Sequence, residues 1–510
     1  MQHLHTPQEA AQWLRSHVRA SLHADSRKLS VGDGFIAWPG TAVDARQFVA
    51  SALQAGAAAC LVEAQGAEAW HLQGDKVATY RGLKADTARI AAAFFDHPSR
   101  SLALCAVTGT NGKTSTAWWL AQALSALAPP HRRPCGMVGT LGVGRPPAPG
   151  PSASATALHS VVGTGLTTPD PVLLQRTLRE FLNQGLQACA MEASSIGIEE
   201  HRLDDTLLQL AILTNFTQDH LDYHGTMQAY WAAKQQLFDW PGLAHAVINV
   251  DDAKGAELAQ ALVHRALDVW TVGRQPGARL QARHVVYGDV GLCFELVEGA
   301  ESVTLQTRLI GSFNVSNMLG VLGALRALGV PLVEAASVCA QLHPVPGRME
   351  CLGGTDAPLV VVDYAHTPDA LAQALTALRP LAAQRGGRLW CVFGCGGDRD
   401  ASKRPLMGAI AAQHADCTTV TSDNPRSEKP EAIIAQVLLG MPHGQHGGVQ
   451  VDRAMAIADA VARAQVRDVV LIAGKGHEAT QDIAGVKHAF LDSAHAQQAL
   501  QRRSNERQQP

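Results

Sequence analysis

Three successive α/β domains, the middle one built on a doubly wound and mostly parallel sheet, are what this sequence predicts. Three observations carry that prediction. The chain has 510 residues, and about three domains is the prior for a chain too long for one ordinary core. Short apolar runs ending in polar residues alternate with helical patterns along the chain, which is the order of a parallel sheet with crossover helices. Pro344-Val345-Pro346-Gly347 interrupts that alternation as a linker.

Residues 1–100 read as a small α/β unit. Gly34-Phe35-Ile36-Ala37-Trp38-Pro39-Gly40 is strand-like and closes in a Pro-Gly turn; 48–55 is helical, and 57–62 is a second buried strand. From 101 to 345 the alternation resumes, with apolar runs at 102–107, 189–192, 210–214 and 246–249. Open parallel sheets bind ligands at the carboxyl ends of their strands, so the polar residues there are site candidates. The stretch 145–165 is rich in Pro, Ala, Ser and Gly and reads as a flexible surface loop. Over 346–510, buried strands at 359–363, 389–394 and 469–474 define a third, Rossmann-like α/β unit. The polar tail from Arg502 to Pro510 is expected to be disordered.

The most specific signal is Thr108-Gly109-Thr110-Asn111-Gly112-Lys113-Thr114, set between an apolar strand and an apolar helical pattern at 117–127. Small residues let backbone N–H groups close around phosphate oxygens, and the helix N-terminus adds partial positive charge. Lys113 is placed to reach the β- and γ-phosphates, and the Thr114 hydroxyl to ligate Mg²⁺. The general pattern has a further glycine five residues before Gly112, where this chain has Val107. The middle domain therefore reads as a P-loop domain that uses ATP or GTP.

Five other clusters carry chemistry. Glu192 ends a strand, where a carboxylate can hold Mg²⁺ directly or through water; a helix cap is the plainer alternative. The loop from Thr214 to His224 holds Asp219, His220, Asp222 and His224, and without cysteine it suits magnesium and phosphate better than zinc. Asp363 also ends a strand, placed to accept hydrogen bonds from a ribose or to cap the helix that follows. The glycine loop Gly394-Cys395-Gly396-Gly397-Asp398-Arg399-Asp400, with Lys403 and Arg404 after it, suits an anion. Asp423-Asn424-Pro425-Arg426 and Gly474-Lys475-Gly476-His477-Glu478 combine carboxylates and a guanidinium able to grip a zwitterion. A simple turn is the structural alternative for Asp-Asn-Pro-Arg.

Composition bounds the rest. The chain is 46% hydrophobic and 17% charged with a net charge of -3, so a general nucleic-acid binder is not expected. Met1-Gln2-His3-Leu4-His5 lacks the basic and apolar regions of a signal peptide. No apolar run approaches the roughly 20 residues of a membrane span. Ten cysteines show no paired framework and read as small buried hydrophobes in a reducing cytosol.

Together with Gly311-Ser312-Phe313-Asn314-Val315-Ser316-Asn317, Pro346-Gly347-Arg348-Met349-Glu350 and Asp363-Tyr364-Ala365-His366-Thr367-Pro368-Asp369, these motifs resemble the Mur ligases of bacterial cell-wall synthesis, in family order and over nearly the whole chain. The resemblance implies domains for a uridine nucleotide, for ATP and for an incoming amino acid. Asp25-Ser26-Arg27 and Asp423-Asn424-Pro425-Arg426 point within the family to the reaction that adds meso-diaminopimelate to UDP-N-acetylmuramoyl-L-alanyl-D-glutamate. It implies a cytoplasmic enzyme, taken as a monomer, with no nucleic-acid partner.

By resemblance, Ser26, Thr167, Thr168, Ser194, Glu200 and Arg202 would hold the UDP-muramoyl-dipeptide. Gly109, Thr110, Asn111, Gly112, Lys113, Thr114, Asn317, Arg348 and Asp363 would hold ATP. Thr114, Glu192, His220 and Lys234 would bind Mg²⁺, with Lys234 as a carbamate; Lys113, Lys234 and His220 are the catalytic candidates. Arg399, Asp423, Asn424, Pro425, Arg426, Gly474 and Glu478 would bind diaminopimelate. Ile196 stands where the family usually has His, and Gly40-Thr41-Ala42-Val43-Asp44 departs from the commoner uridine loop. A lysine-adding ligase of the same family, folylpolyglutamate synthase and a nucleotide switch that ligates nothing are the rival readings. Arg426 argues against the first, the Asp25-Ser26-Arg27 domain against the second, and the zwitterion-like cluster against the third.

Overall fold

The computed structural model describes residues 1–40, 43–149, 160–287, 291–442 and 448–508. The first sheet has five parallel strands in the order Gln2–Leu4, Val77–Tyr80, Ala59–Glu63, Gly34–Ala37, Leu22–His23. Its central strand Ala59–Glu63 is buried along its whole length, as a strand covered on both faces must be. The helix Pro7–His17 begins with a reciprocal capping box between Thr6 and Glu9. Asp25-Ser26-Arg27 forms a short 3₁₀ turn just beyond the Leu22–His23 strand end, with the Asp25 side chain accepting from the Arg27 N–H.

The middle sheet has eleven strands among the described residues. Seven are parallel, running from Leu280–Tyr287 through Asp268–Gly273, His245–Asn249, Leu210–Leu213, Ala103–Thr108 and Ala188–Glu192 to Cys135–Gly139. Antiparallel strands extend both edges. Along Ala103–Thr108 the side chains alternate between two cores. Cys105 and Val107 join Trp118, Leu120, Met318 and Leu322 of the helices Lys113–Ala126 and Phe313–Ala327. Leu104 and Ala106 join Leu174, Leu178 and Phe181 of Pro171–Asn183 on the opposite face. Winding on both faces sets the phosphate loop, Glu192 and Thr214 side by side at three neighbouring strand ends.

Two expectations change. Val161–Val162, inside the stretch expected to be a loop, pairs antiparallel with Gly142–Gly144 because the Val161 side chain is buried in the main core. Residues 150–159 of that stretch lie outside the described ones.

The C-terminal sheet has six strands, ordered Glu350–Gly353, Leu359–Asp363, Val469–Ala473, Leu389–Phe393, Cys417–Val420, Gly448–Val449, all parallel except the first. Of the tail expected to be disordered, residues 502–508 are the end of a helix, Asp492–Gln508, and 509–510 lie outside the described residues. Ala496 and Ala499 bury one stripe of it against Ile457, Val461 and Val470, and Arg503 donates to the Val461 and Ala462 carbonyls. At its start Asp492 makes a two-pronged ion pair with Arg453, 2.7 Å on each prong, with both side chains fully buried. Arg453 also donates to the Ser422 and Ala473 carbonyls, so this pair fastens the last helix to the strand ends that carry the C-terminal cluster.

Removing one member of a buried ion pair strands the other charge, at a cost of about 3–5 kcal/mol. Asp492→Ala is therefore expected to lower the C-terminal domain's stability by that amount in urea unfolding followed by tryptophan fluorescence. A change below about 1 kcal/mol, the size of an exposed pair, would contradict the buried arrangement.

Candidate active site

The phosphate loop folds as it does because two glycines leave room. A Cβ on Gly109 would sit 1.9 Å from Thr214 Oγ1, and one on Gly112 would sit 2.1 Å from Asn317 Oδ1; both glycines have positive φ. The loop is pinned to its neighbour strand end: Thr110 N–H donates to the Asn215 carbonyl and Asn111 N–H to Asn215 Oδ1, each at 2.9 Å. The Thr110 hydroxyl donates to the Thr217 carbonyl at 3.0 Å.

Two lysines converge on this loop. Lys113 Nζ donates to the Gly109 and Thr110 carbonyls at 2.8 Å, and Lys234 Nζ donates to the same Gly109 carbonyl at 2.8 Å. Lys234 is 1% exposed and lies 4.5 Å over the Tyr230 ring. Burial, reinforced by the positive charge of Lys113, pushes its pKa well below the ordinary lysine value. Lys113 is also lowered by burial, against the opposing pull of Glu192 and Asp219.

Glu192 is fully buried. Its Oε1 accepts from the Thr140 N–H at 2.7 Å, and its Oε2 accepts from the Thr114 and Thr140 hydroxyls at 3.0 and 3.1 Å. A Cβ on Gly139 would lie 2.2 Å from Oε1, so the glycine admits the carboxylate. Burial raises the Glu192 pKa, with Lys113 pulling it back. Only neutral groups touch this carboxylate, which together with the Thr114 hydroxyl makes an all-oxygen donor set suited to a hard divalent cation. Among the described residues no cluster of three or more His, Cys, Asp or Glu is close enough to hold a metal by itself. That fits Mg²⁺, which is held by one or two carboxylates and completed by phosphate oxygens and water.

Behind Glu192 the Thr168 hydroxyl donates to the Glu192 carbonyl at 2.8 Å and accepts from the Ser194 N–H at 3.0 Å. Ser194 caps the short helix Ser195–Glu199, and Arg202 donates to the Thr168 carbonyl at 2.8 Å. Thr167 and Thr140 share a hydroxyl hydrogen bond at 3.0 Å. At the Ile196 position the helix keeps its polar anchor through its neighbour: the Ser195 hydroxyl meets His224 Nε2 at 2.9 Å, and His224 Nδ1 meets Glu199 at 3.0 Å.

The opposite wall comes from the C-terminal domain. Asp363 accepts from the Met349 and Ala365 N–H groups at 2.8 and 2.9 Å. The cap of the following helix is Thr367, so the helix-cap alternative for Asp363 does not hold. Arg348 stacks 4.3 Å over the Tyr364 ring. Thr110–Thr114, Thr140, Thr167, Glu192, His220, Asn317, Arg348 and Asp363 line one cavity of about 620 Å³ between the middle and C-terminal domains. His220, paired with Asp219 at 3.5 Å, has its pKa lowered by burial.

Other candidates lie elsewhere. Lys234 sits behind the loop and does not line the cavity. Glu200 bridges two domains, paired with Lys84 at 2.6 Å and hydrogen-bonded to Tyr223 at 2.8 Å. Ser26 stays in the N-terminal domain, away from the cavity.

The zwitterion-like residues form a second cluster. Asp423 packs against Gly474, where a Cβ would be 2.5 Å from Oδ2, and burial raises its pKa against the pull of Arg453 and Lys475. Asn424 Nδ2 donates to Glu478 Oε2 at 2.6 Å. Arg426, partly exposed, has positive φ and donates to the Gly397 carbonyl at 2.6 Å. Arg399 is exposed on the adjoining glycine loop. Tyr364 joins the two clusters: it lines the cavity, and its hydroxyl is 3.5 Å from Glu478 Oε1.

The sequence reading missed Thr140, Asn215, Tyr230, Tyr364 and Lys475 as site members. Thr140 and Tyr364 directly follow strand ends, the signal that found Glu192, and Asn215 and Lys475 lie inside motifs already quoted; Tyr230, on a helix, carried no such signal.

A strand-end phosphate loop, an oxygen-donor pair and a facing amino-acid cluster describe an ATP-dependent ligase. The Mur ligase middle domain model matches residues 107–325, and the Mur ligase, glutamate ligase domain model matches 347–476. The UDP-N-acetylmuramoyl-L-alanyl-D-glutamate--2,6-diaminopimelate ligase of Acidovorax sp. (strain JS42) is 58% identical over 503 residues, covering 98% of each chain. The ligase of the same name from Pseudomonas aeruginosa is 45% identical, covering 94% of each. A solved structure under that name superposes with a TM-score of 0.65 at 35% identity, over 95% of both chains. MurF ligase from Thermotoga maritima in complex with ADP shares the fold, with a TM-score of 0.65 at 18% identity over 96% of this chain and 98% of that one. The chain belongs to the Mur ligase family.

A lysine whose folded pKa lies below its unfolded value of about 10.4 binds fewer protons folded than unfolded, so stability rises with pH between the two. At neutral pH a buried Lys234 therefore costs stability. In CO₂-free buffer, Lys234→Met is expected to unfold at a higher temperature than the unmodified protein at pH 7, with the gain narrowing toward about pH 10. Equal midpoints at pH 7 would mean that Lys234 is an ordinary charged lysine.

Proposed function

We propose that the protein joins meso-2,6-diaminopimelate to the D-glutamate side-chain carboxylate of UDP-N-acetylmuramoyl-L-alanyl-D-glutamate, with ATP converted to ADP and phosphate. The observation that carries this reading is one juxtaposition. The cavity that holds the phosphate loop, Lys113 and Arg348 meets, through Tyr364, a cluster holding Asp423, Arg426 and Glu478. Full-length likeness to relatives named for this reaction supports it. We place the enzyme in the cytoplasm as a monomer, supplying a bacterial cell-wall precursor. Among the described residues no helix is long and apolar enough to cross a membrane.

A carboxylate is a poor electrophile, so its oxygen first takes the γ-phosphoryl group of ATP. Lys113 turns from the Gly109 and Thr110 carbonyls to the γ-phosphate and balances the charge that develops there. The loop N–H groups hold the β-phosphate; Asn317, Arg348 and Asp363 hold the remainder of the nucleotide. Thr114 and Glu192, with His220 near, would hold Mg²⁺, which would supply charge neutralisation for the phosphates. Lys234, its pKa pushed well down by burial, is suited to take up CO₂ through its amine, losing a proton and becoming an anionic carbamate. That anion would answer the positive charge of Lys113 beside Gly109 and would offer a further oxygen to the metal. Ser26, Thr167, Thr168, Ser194 and Arg202 hold the UDP-dipeptide on the far side of Glu192, and Glu200 steadies the domain contact behind it.

The neutral amine of diaminopimelate then attacks the acyl phosphate; the C–N bond forms, phosphate leaves, and the ammonium proton goes to solvent. Water would hydrolyse the acyl phosphate, so the cavity between the two domains must close on it. Asp423 and Glu478 receive the ammonium of the incoming amino acid. Arg426 and Arg399 receive its distal carboxylate, with Asn424, Pro425 and Gly474 shaping the pocket.

Lysine lacks that carboxylate and would forgo the charge-assisted bonds to Arg426, at a cost of about 1–3 kcal/mol, roughly 5- to 150-fold in kcat/KM. With ATP, Mg²⁺ and the UDP-dipeptide, mass spectrometry is expected to find the diaminopimelate adduct far ahead of the lysine adduct. Arg426→Ala should lower kcat/KM for diaminopimelate and narrow the gap. Equal turnover of the two amino acids by the unmodified enzyme would overturn the assignment.

A further inference from the structure

Lys475 is fully buried, yet it lies between two glycines in a loop whose neighbours Gly474 and Glu478 belong to the amino-acid cluster. A buried ammonium must spend its three N–H donors, since each unspent one costs the desolvation of a charge. Lys475 spends all three: on Asn424 Oδ1 at 3.0 Å, on Glu478 Oε2 at 3.0 Å and on the Thr480 carbonyl at 2.8 Å. It thereby ties together the Asp423–Arg426 turn, the loop carrying Glu478 and the strand Thr480–Ile483.

The consequence for the cluster is orientational. Asn424 Oδ1 accepts from both Lys475 Nζ and the Asp482 N–H, the latter at 3.0 Å. An oxygen so occupied fixes which way the amide faces, so Nδ2 turns to Glu478 Oε2 at 2.6 Å. Glu478 Oε2 thus holds two donors. Oε1 is left with the long 3.5 Å approach of the Tyr364 hydroxyl, on the side of the cavity. The Glu478 side chain is 31% exposed, so that oxygen is reachable.

We propose that Lys475 is a positioning residue for amino-acid selection: it locks Asn424 and one oxygen of Glu478, and so presents the other oxygen as a fixed acceptor for the ammonium of the incoming amino acid. The inference rests on the amino-acid pocket proposed above and adds a residue that makes no contact with the ligand. Lys475 also stands near Asp423, where it is one of two cations opposing the effect of burial. An unlocked Glu478 would swing between rotamers, and the ammonium would have to order it on binding.

The test is steady-state kinetics on the full chain with ATP, the UDP-dipeptide and diaminopimelate, comparing Lys475→Met, Glu478→Gln and the double variant. Lys475→Met is expected to raise KM for diaminopimelate about tenfold or more, with KM for ATP within about twofold. The double variant is expected to be no worse than the worse single one, because both changes act on one interaction. Lys475→Gln, which keeps a donor without the charge, is expected to give a smaller rise and covers a Met variant that does not fold. An unchanged KM for diaminopimelate in the Lys475 variants, with a raised KM in Glu478→Gln, would overturn the positioning role and leave the pocket standing. Fully additive effects, or equal rises in KM for ATP and diaminopimelate, would mark Lys475 as a general structural cross-link and also overturn it. Unchanged KM in both Glu478→Gln and Arg426→Ala would instead remove the pocket itself.

Discussion

Two ammonium groups on one carbonyl oxygen is the constraint around which the site is built. Lys113 and Lys234 both donate to Gly109 O, while the nearest buried carboxylate, Glu192, is occupied by neutral donors. In a water-poor site two ammonium groups on one acceptor raise each other's cost of carrying charge. Burial lowers the pKa of both, and the charge of Lys113 adds to the effect on Lys234, which is pushed well below the ordinary lysine value. Lys113 faces the cavity. A triphosphate in the cavity, or an anion formed at Lys234, would relieve that crowding.

The domains are joined so that this centre communicates with the amino-acid cluster. Gly347 of the linker has positive φ, and a Cβ there would lie 2.1 Å from the His477 backbone nitrogen. The linker therefore runs directly against the loop that carries Lys475 and Glu478. Arg348, the next residue, lies over Tyr364, and Tyr364 reaches Glu478. Arg348 and Tyr364 both line the cavity, so the ring beside Glu478 is shared between the cavity and the C-terminal cluster.

Much of this was legible in the sequence because phosphate chemistry leaves a contiguous trace. Thr110 to Thr114, Glu192, Asn317, Arg348 and Asp363 were all named from motifs, and the cavity collects them. What sequence could not supply was depth. Lys234 reads as an ordinary helix lysine until the fold buries it behind Gly109, and only the family resemblance singled it out. Lys475 hid between two glycines: two of its acceptors, Glu478 and Thr480, are local, but nothing local tells that the third, Asn424, comes from 51 positions earlier. The tail from Arg502 was read as disordered because its polarity is high; upstream of it, Ala496, Ala499 and the Asp492–Arg453 pair dock the helix to which it belongs. Each miss is a tertiary contact between residues far apart in the chain.

The charge imbalance at Gly109 is tested most directly by ¹³C NMR of the protein in ¹³C-bicarbonate. The account predicts a carbamate carbon signal in the unmodified protein that is lost in Lys234→Met and persists in Lys113→Met. A protein that takes up no ¹³C, with a Lys234 amine titrating near the free-lysine value of about 10.4, would contradict it.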